Sequence, residues 1–491
     1  MTTGLMAESD HARFGVLWCI YALAFLRVLA DVSVGTAVPL FVRLVGGSDF
    51  VTAFVSAAPA IVYTFAPVVM GRLSDRLGRK KAMAFSWALD LASPVAYLVA
   101  WNLPGVVPMG VVVGVLTAGR LNDGVWLALF WPTLQGRLSE ERKDGESDAV
   151  HGRRLRRYNL SWNAGVVFSQ LVLFAATLPA STSSVLANLF ALLVASLVLM
   201  VAGVALTELS FGDVPRVPAS DPSLPSPSPS PPGIPPVVTP AIPPAVEDIR
   251  RWRPREGGTG STSRVWAAAR ASAVGLASIF AYAFALGAQS ANLTNHFTWA
   301  SSRGAFNLVP LIPLAGLARI SAHAAGASAG ALPGEPGGVR ASDRLAGRLT
   351  WTCVPLAGIA VLVAARPLFG VVEAVAFVAL LAALGGAAGR VYALAIAHVM
   401  DAGRRNHATG AAGGEGNSEA GLYMGLFEAT IGFGFLLGPL VAGALTSYLP
   451  YHVPYLAGGV AVAVVAAVLR LAGRRRPDPR RDGRDEVGAT R

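Results

Sequence analysis

Twelve apolar stretches recur along the chain, each about as long as a helix needs to cross the hydrocarbon of a bilayer, roughly 20 residues. They fall near 14–42, 50–70, 82–101, 105–135, 159–179, 184–207, 266–292, 303–320, 350–365, 369–400, 420–446 and 453–473. The first is not a cleaved leader. It is too long, it holds Arg27 and Asp31, and no small-residue cleavage site follows it. The pattern predicts an all-α integral membrane protein with twelve transmembrane helices.

Composition agrees. Of 491 residues, 53% are apolar and only 14% charged, against about 25% charged in soluble domains. The mean hydropathy is +0.53. Cys19 and Cys353 lie in apolar runs and read as small core residues, not as a disulfide framework. The net charge of +11 would point to nucleic acid in a soluble protein, but its distribution points elsewhere. With the N-terminus inside, 33 of the 40 Lys and Arg fall in inner segments, Arg319 and the arginines near 340–348 among them. Only Arg43, Arg303 and Arg366 fall outside, and Arg27, Arg120, Arg270 and Arg390 lie within spans. This is the positive-inside bias of a protein with both termini cytoplasmic. It is a topology signal, so no nucleic-acid partner is expected.

Residues 208–264 interrupt the pattern with 14 of the 33 prolines, including the run SLPSPSPSPPGIPP. Such a stretch extends and cannot pack a core. The chain therefore divides into a cytoplasmic N-terminus (1–13), a six-helix bundle (14–207), a Pro-rich cytoplasmic linker (208–264), a second bundle (265–473) and a basic cytoplasmic tail (474–491). The halves share a motif. GRLSDRLGRKK (71–81) follows the second span and VRASDRLAGRL (339–349) the eighth, both carrying Ser-Asp-Arg-Leu and then Gly-Arg. Its recurrence between the second and third spans of each half argues for two bundles related as a parallel repeat.

The segment Gly71-Arg72-Leu73-Ser74-Asp75-Arg76-Leu77-Gly78-Arg79-Lys80-Lys81 resembles the loop signature of the major facilitator superfamily of secondary transporters. In the fourth span, Arg120 and Gly124 fit that family's R-x-x-x-G-x-G, with Trp126 in place of the last glycine. In the eleventh, Gly434 to Gly443 resembles its G-x-x-x-G-P packing motif. The fifth span lacks the Gly-Pro that the family's drug antiporters carry there. The resemblance covers about 14–207 and 265–473 and implies the MFS fold. It also implies that Gly71, Asp75, Arg76, Gly78 and Arg79 form a latch between the two halves, Asp75 facing the start of the eleventh span. Spans 1, 4, 7 and 10 would line the central cavity. Gly71 and Gly78 suit a tight turn, and Asp75 suits a helix N-terminus or an arginine partner. The bland reading of the loop is a basic, merely topogenic turn.

A charge inside the bilayer is costly and marks either a site or a buried pair. Arg27 and Asp31 sit four residues apart in the first span, Arg120 and Asp123 in the fourth, and Arg390 near the middle of the tenth. Together they form the candidate substrate site, with Asp31 and Arg120 as the leading pair; the alternative is ion pairs holding the first bundle together, favoured for Asp123. Asp90, in a peripheral span, reads as a structural partner. Glu428 in the eleventh span is the proton-coupling candidate. Gln289, Asn292 and Asn295 border an outer vestibule. Phosphate-loop, zinc and serine-nucleophile motifs are missing from the sequence, and neither enzymatic activity, cofactor nor metal is expected. The expectation is a monomeric plasma-membrane permease moving a small solute by alternating access, proton coupled, with a lean to efflux. A zwitterion, an organic anion or a sugar would suit the cavity. The rival reading is a sensor or scaffold that kept the fold and lost transport.

Overall fold

The structure, a computed structural model, describes residues 2–141, 148–179, 181–210, 259–304, 307–330, 341–409 and 418–474. The linker expected at 208–264 lies mostly, and the basic tail almost wholly, outside the described residues. Thirteen helices and no strand occur among them. The first half holds α1 (Thr2–Leu44), α2 (Asp49–Leu77), α3 (Arg79–Trp101), α4 (Met109–Glu140), α5 (Asp148–Thr177) and α6 (Thr182–Ser210). A short α7 (Thr259–Ala271) follows. The second half holds α8 (Ala273–Arg303), α9 (Leu311–Gly330), α10 (Ala341–Ala365), α11 (Val371–Thr409), α12 (Ser418–Tyr448) and α13 (His452–Arg474). Only helices can satisfy their backbone groups alone in hydrocarbon, so long apolar runs become helices. Eleven are long and apolar enough to cross a membrane. The exception among the long ones is α9, of 20 residues, which carries Arg319 and His323.

The packing shows the repeat. In the first half α1 packs on α5 and α6, α2 on α4, and α3 on α4 and α6. In the second, α8 packs on α12 and α13, α9 on α11, and α10 on α11 and α13. Read in order, α8–α13 repeat the partners of α1–α6. The contacts between halves obey the same exchange, α2 against α12 and α9 against α5.

Small residues make the principal seam between halves. Gly443 of α12 stands where a side chain would strike Ala53 of α2, and Gly432 stands against Thr64. On its other side, Gly434 and Gly438 lie against Ala283, Phe284 and Ala288 of α8. Close backbone approach of this kind is how helices associate in lipid, where apolar burial gives no driving force.

Several boundaries differ from the sequence expectation, and those of the eighth and ninth spans matter most for the site. The eighth span, expected at 303–320, runs Leu311–Gly330. Pro310, lacking an N–H, precedes its first turn, while α8 continues through Arg303 because its polar outer turns are buried. Arg319 thereby moves from an inner loop into the membrane. The ninth span starts at Ala341. Consequently Ser74–Leu77 closes α2, whereas Ser342–Leu345 opens α10: the shared tetrapeptide lies on opposite sides of the corresponding turn. Gly71, expected in a turn, is inside α2. The turn is Gly78 alone, with φ +83° between α2 and α3, a left-handed conformation that favours glycine.

Candidate functional site: a mixed-charge central cavity

A cavity of about 430 Å³ lies between the halves. Asp31 and Pro39 of α1, Pro59 and Tyr63 of α2, Arg120 and Trp131 of α4, and Gln170 of α5 line it from the first half. Ser290 and Thr294 of α8, Arg319 of α9, and Glu428, Phe435 and Pro439 of α12 line it from the second. Proline has no N–H to offer the residue four back. Pro39 and Pro439 therefore leave the carbonyls of Gly35 and Phe435, both at the cavity, without that helical donor.

Each half contributes one cation and one carboxylate. Arg120 is fixed on α4 by Asp123, three residues on: Nη1 reaches Asp123 Oδ2 at 2.6 Å. Tyr97 of α3 donates to the same oxygen at 2.5 Å and Trp126 Nε1 to Oδ1 at 3.2 Å. Asp123 is 3% exposed and stands behind Arg120, outside the lining. Asp31 is only partly buried, and among the described residues it has no ion pair within 4 Å. In the other half, Glu428 accepts from Tyr63 Oη across the interface at 2.9 Å. Arg319 Nη1 donates to Gln289 Oε1 at 2.6 Å and to Ser290 Oγ at 2.9 Å, both neutral partners on α8. Sequence reasoning missed Arg319. A lone arginine beside a glycine- and alanine-rich run reads as a loop end, and only the shifted boundary shows it as a half-buried cation at the cavity.

Two expected site residues lie elsewhere. Arg27, fully buried, is salt-bridged to Asp90 of α3 and stacks on Trp126. Three aromatic faces surround its guanidinium, those of Trp87, Trp126 and Phe130. It belongs to the core of the first bundle because its long side chain reaches away from the cavity toward α3 and α4. Arg390 is exposed on the opposite side of α11. That helix turns Tyr392 inward, against Tyr282 and Phe427, and gives the cavity no lining residue. The expectation that the tenth span lines the cavity is corrected accordingly: α9 and α12 supply the charges instead.

The outer end is closed. Arg43 and Asp49, at the α1–α2 turn, are paired at 3.0 Å. Across the interface, Tyr451 Oη donates to Asp49 Oδ2 at 2.9 Å, Asn295 Nδ2 to the Asp49 carbonyl at 3.1 Å, and Arg43 Nε to Thr298 Oγ1 at 3.3 Å. Tyr451 lies in the turn between α12 and α13. Burial, then the Asp49 carboxylate, raise its hydroxyl above the usual tyrosine range, so it stays a donor through neutral pH. Asn292 and Asn295, expected on an open vestibule, are fully buried in this closure; Asn292 Nδ2 donates to the Tyr451 carbonyl at 2.8 Å.

At the inner end, Arg79 Nη1 donates to Ser74 Oγ at 2.8 Å, and Thr133 of α4 donates to that hydroxyl at 2.8 Å. The motif thus ties α2, α3 and α4 together. The side chains of Asp75 and Arg76 lie outside the described set, and the latch expected from them stays a proposal.

Two six-helix halves around a charged cavity closed at its outer end have the architecture of a membrane carrier. The sequence pattern of the Major Facilitator Superfamily matches residues 20–414 and 415–490, and the chain belongs to that family of membrane transporters. Among solved structures it is similar to a mutant of the nucleoside transporter NupG, with 13% identity and a TM-score of 0.58 over 93% of this chain and 99% of that one. That likeness concerns the fold. No curated protein matches the chain.

Proposed function

We propose that the chain is a proton-coupled secondary carrier that exports a small zwitterionic or anionic organic solute by alternating access. The observation that carries this reading is the charge set of the cavity: Asp31 and Arg120 from one half, Glu428 and Arg319 from the other. A solute with charges of both signs, or an anion held between two guanidiniums, engages both halves at once and makes their closure depend on its presence. Glu428 and Asp31 are the carboxylates placed to exchange a proton with that solute. The protein works in the plasma membrane as a monomer, with both termini cytoplasmic. The rival reading, a sensor or scaffold without transport, rests on Trp126 in place of the family's glycine and on the fifth span's missing Gly-Pro; Trp126 packs against Arg27.

Counterflow in proteoliposomes tests it. Vesicles preloaded with amino acids, organic acids, nucleosides or sugars are presented with the labelled counterpart. Exchange of a charged solute, strongly reduced by Arg319→Gln, is the expected outcome. Exchange confined to uncharged sugars, or no exchange with any class, overturns the reading.

A further inference from the structure

The second half carries another cavity, outside the central one. Between α10 and α11 a groove of about 390 Å³ is lined by Arg348, Trp351, Val354 and Pro355 on one side and by Gly386 and Arg390 on the other. No acidic side chain lines it among the described residues. Trp351 is 67% exposed and Val354 60%, and Arg390 is exposed as well. Exposed on a membrane-spanning helix means turned toward lipid.

The depth of the two arginines coincides. Both helices reach the outer surface at their shared turn, α10 ending at Ala365 and α11 starting at Val371. At a rise of 1.5 Å per residue, Arg348 lies ~26 Å below that surface and Arg390 ~29 Å. The hydrocarbon core is about 30 Å thick. With the orientation set by the basic inner segments, both guanidiniums arrive from antiparallel helices at the inner edge of the hydrocarbon, where lipid phosphates begin. Tryptophan favours that boundary, and Trp351 is there, one turn from Arg348. Toward the bilayer interior the groove continues along Val354, Pro355 and Ala383, an apolar path of the kind an acyl chain fills. An arginine facing lipid is tolerated when its head reaches phosphate, and basic pockets between membrane helices on the cytoplasmic side suit anionic headgroups.

We propose that this groove binds an anionic phospholipid of the inner leaflet, with its phosphate between Arg348 and Arg390 and an acyl chain along Val354 and Pro355. The site is separate from the solute cavity and takes a different chemical class of ligand.

The full-length protein in nanodiscs is photolabelled with a photoactivatable phosphatidylglycerol, and the labelled peptides are mapped by mass spectrometry. Labels are expected within 348–355 and 383–390. Unlabelled phosphatidylglycerol should displace them, whereas phosphatidylcholine and inorganic phosphate should not. In the double variant Arg348→Gln/Arg390→Gln, two surface charges are lost and apparent affinity should fall about 30-fold, while Arg390→Lys should keep most of it. Labels spread evenly over all lipid-facing helices, displacement by phosphatidylcholine at equal concentration, or unchanged labelling of the double variant would each overturn the proposal. Displacement by inorganic phosphate would assign the groove to a free anion and overturn the lipid. Should the double variant fail to insert, the mapping and competition on the wild-type protein decide the matter alone.

Discussion

Arg319 on α9 is held by Gln289 on α8, with Nη1 to Oε1 at 2.6 Å. A neutral amide orients the cation without neutralising it, so its charge stays available to the cavity. Hydrogen bonds to a charged group contribute about 1.5–3 kcal/mol. Arg319→Gln is therefore expected to weaken solute binding roughly 10- to 150-fold while the protein still reaches the membrane. Arg319→Lys keeps the charge but loses the planar fork and should recover only part of the affinity. Binding measured by solute-induced thermal stabilisation checks this; equal stabilisation of wild type and Arg319→Gln would remove Arg319 from the site.

The two carboxylates near Arg120 should separate cleanly. Asp123 is buried against Arg120, Tyr97 and Trp126, whereas Asp31 faces the cavity. Removing one member of a buried ion pair costs about 3–5 kcal/mol. Asp123→Ala should accordingly lower thermal stability and expression. Asp31→Asn should leave stability within about 1 kcal/mol, as befits a side chain outside the buried pairs, and should abolish transport. Thermal unfolding and counterflow on the same preparations make the comparison. A stable Asp123→Ala beside an unfolded Asp31→Asn would exchange the two roles.

These assignments mark how much the sequence alone conveys. The helical fold, the two halves and their repeat are legible because lipid imposes span length and charge asymmetry directly on sequence. The membership of Asp31, Arg120 and Glu428 in one cavity is in part legible too, since each is a charge deep in an apolar run. Which charge pairs with which is not, because Arg27 and Asp31 share one helix face yet diverge: the long Arg27 side chain reaches Asp90 of α3, and Asp31 turns to the cavity. Arg319 is hidden for another reason. The apolar stretch read near 303–320 ends at Arg319, so the arginine reads as an inner loop end; the helix itself runs Leu311–Gly330, and its place is set by packing on α11, with Gly385 and Gly389 against the backbone of Arg319 and His323.

The Arg27–Asp90 pair makes its own forecast. It is fully buried and lies among Trp87, Trp126 and Phe130. Arg27→Met would strand a carboxylate in the core, at a cost of about 3–5 kcal/mol, whereas replacing both partners by apolar groups of similar volume is often neutral or stabilising. Arg27→Met/Asp90→Leu should therefore regain both the stability and the transport lost in Arg27→Met. Recovered stability with no transport would return Arg27 to the substrate pathway.

Glu428 sits on the second half and accepts from Tyr63 on the first, so its proton and the closure of the interface are joined. Glu428→Gln keeps a hydrogen-bond acceptor for Tyr63 but cannot carry a proton. The variant is expected to retain solute counterflow and to lose accumulation driven by a pH gradient. Flux assays in proteoliposomes with and without an imposed gradient separate the two. Wild-type accumulation in Glu428→Gln would transfer the coupling role to Asp31.

The outer closure rests on few bonds, three of them meeting at Asp49. Tyr451 and Asn295 reach it from the second half, and Arg43 holds it from its own half. Tyr451→Phe deletes one bond between halves and leaves the aromatic stack of Tyr451 on His296 and Trp299 in place. A hydrogen bond to a charged acceptor is worth about 1.5–3 kcal/mol, enough to shift a two-state equilibrium by one to two orders of magnitude. The variant should therefore spend more time open to the outside, and Asp49→Ala more still: it also frees Arg43, which reaches Thr298 across the interface, while the Asn295 bond to the Asp49 main-chain carbonyl survives. A cysteine placed at Thr294, inside the cavity, reports the change through its reaction with a membrane-impermeant maleimide added from outside. Labelling should rise from wild-type background to Tyr451→Phe to Asp49→Ala. Flat labelling across the three would mean that the seam of α2 on α12, with Gly443 against Ala53, holds the outer end closed without the polar ties.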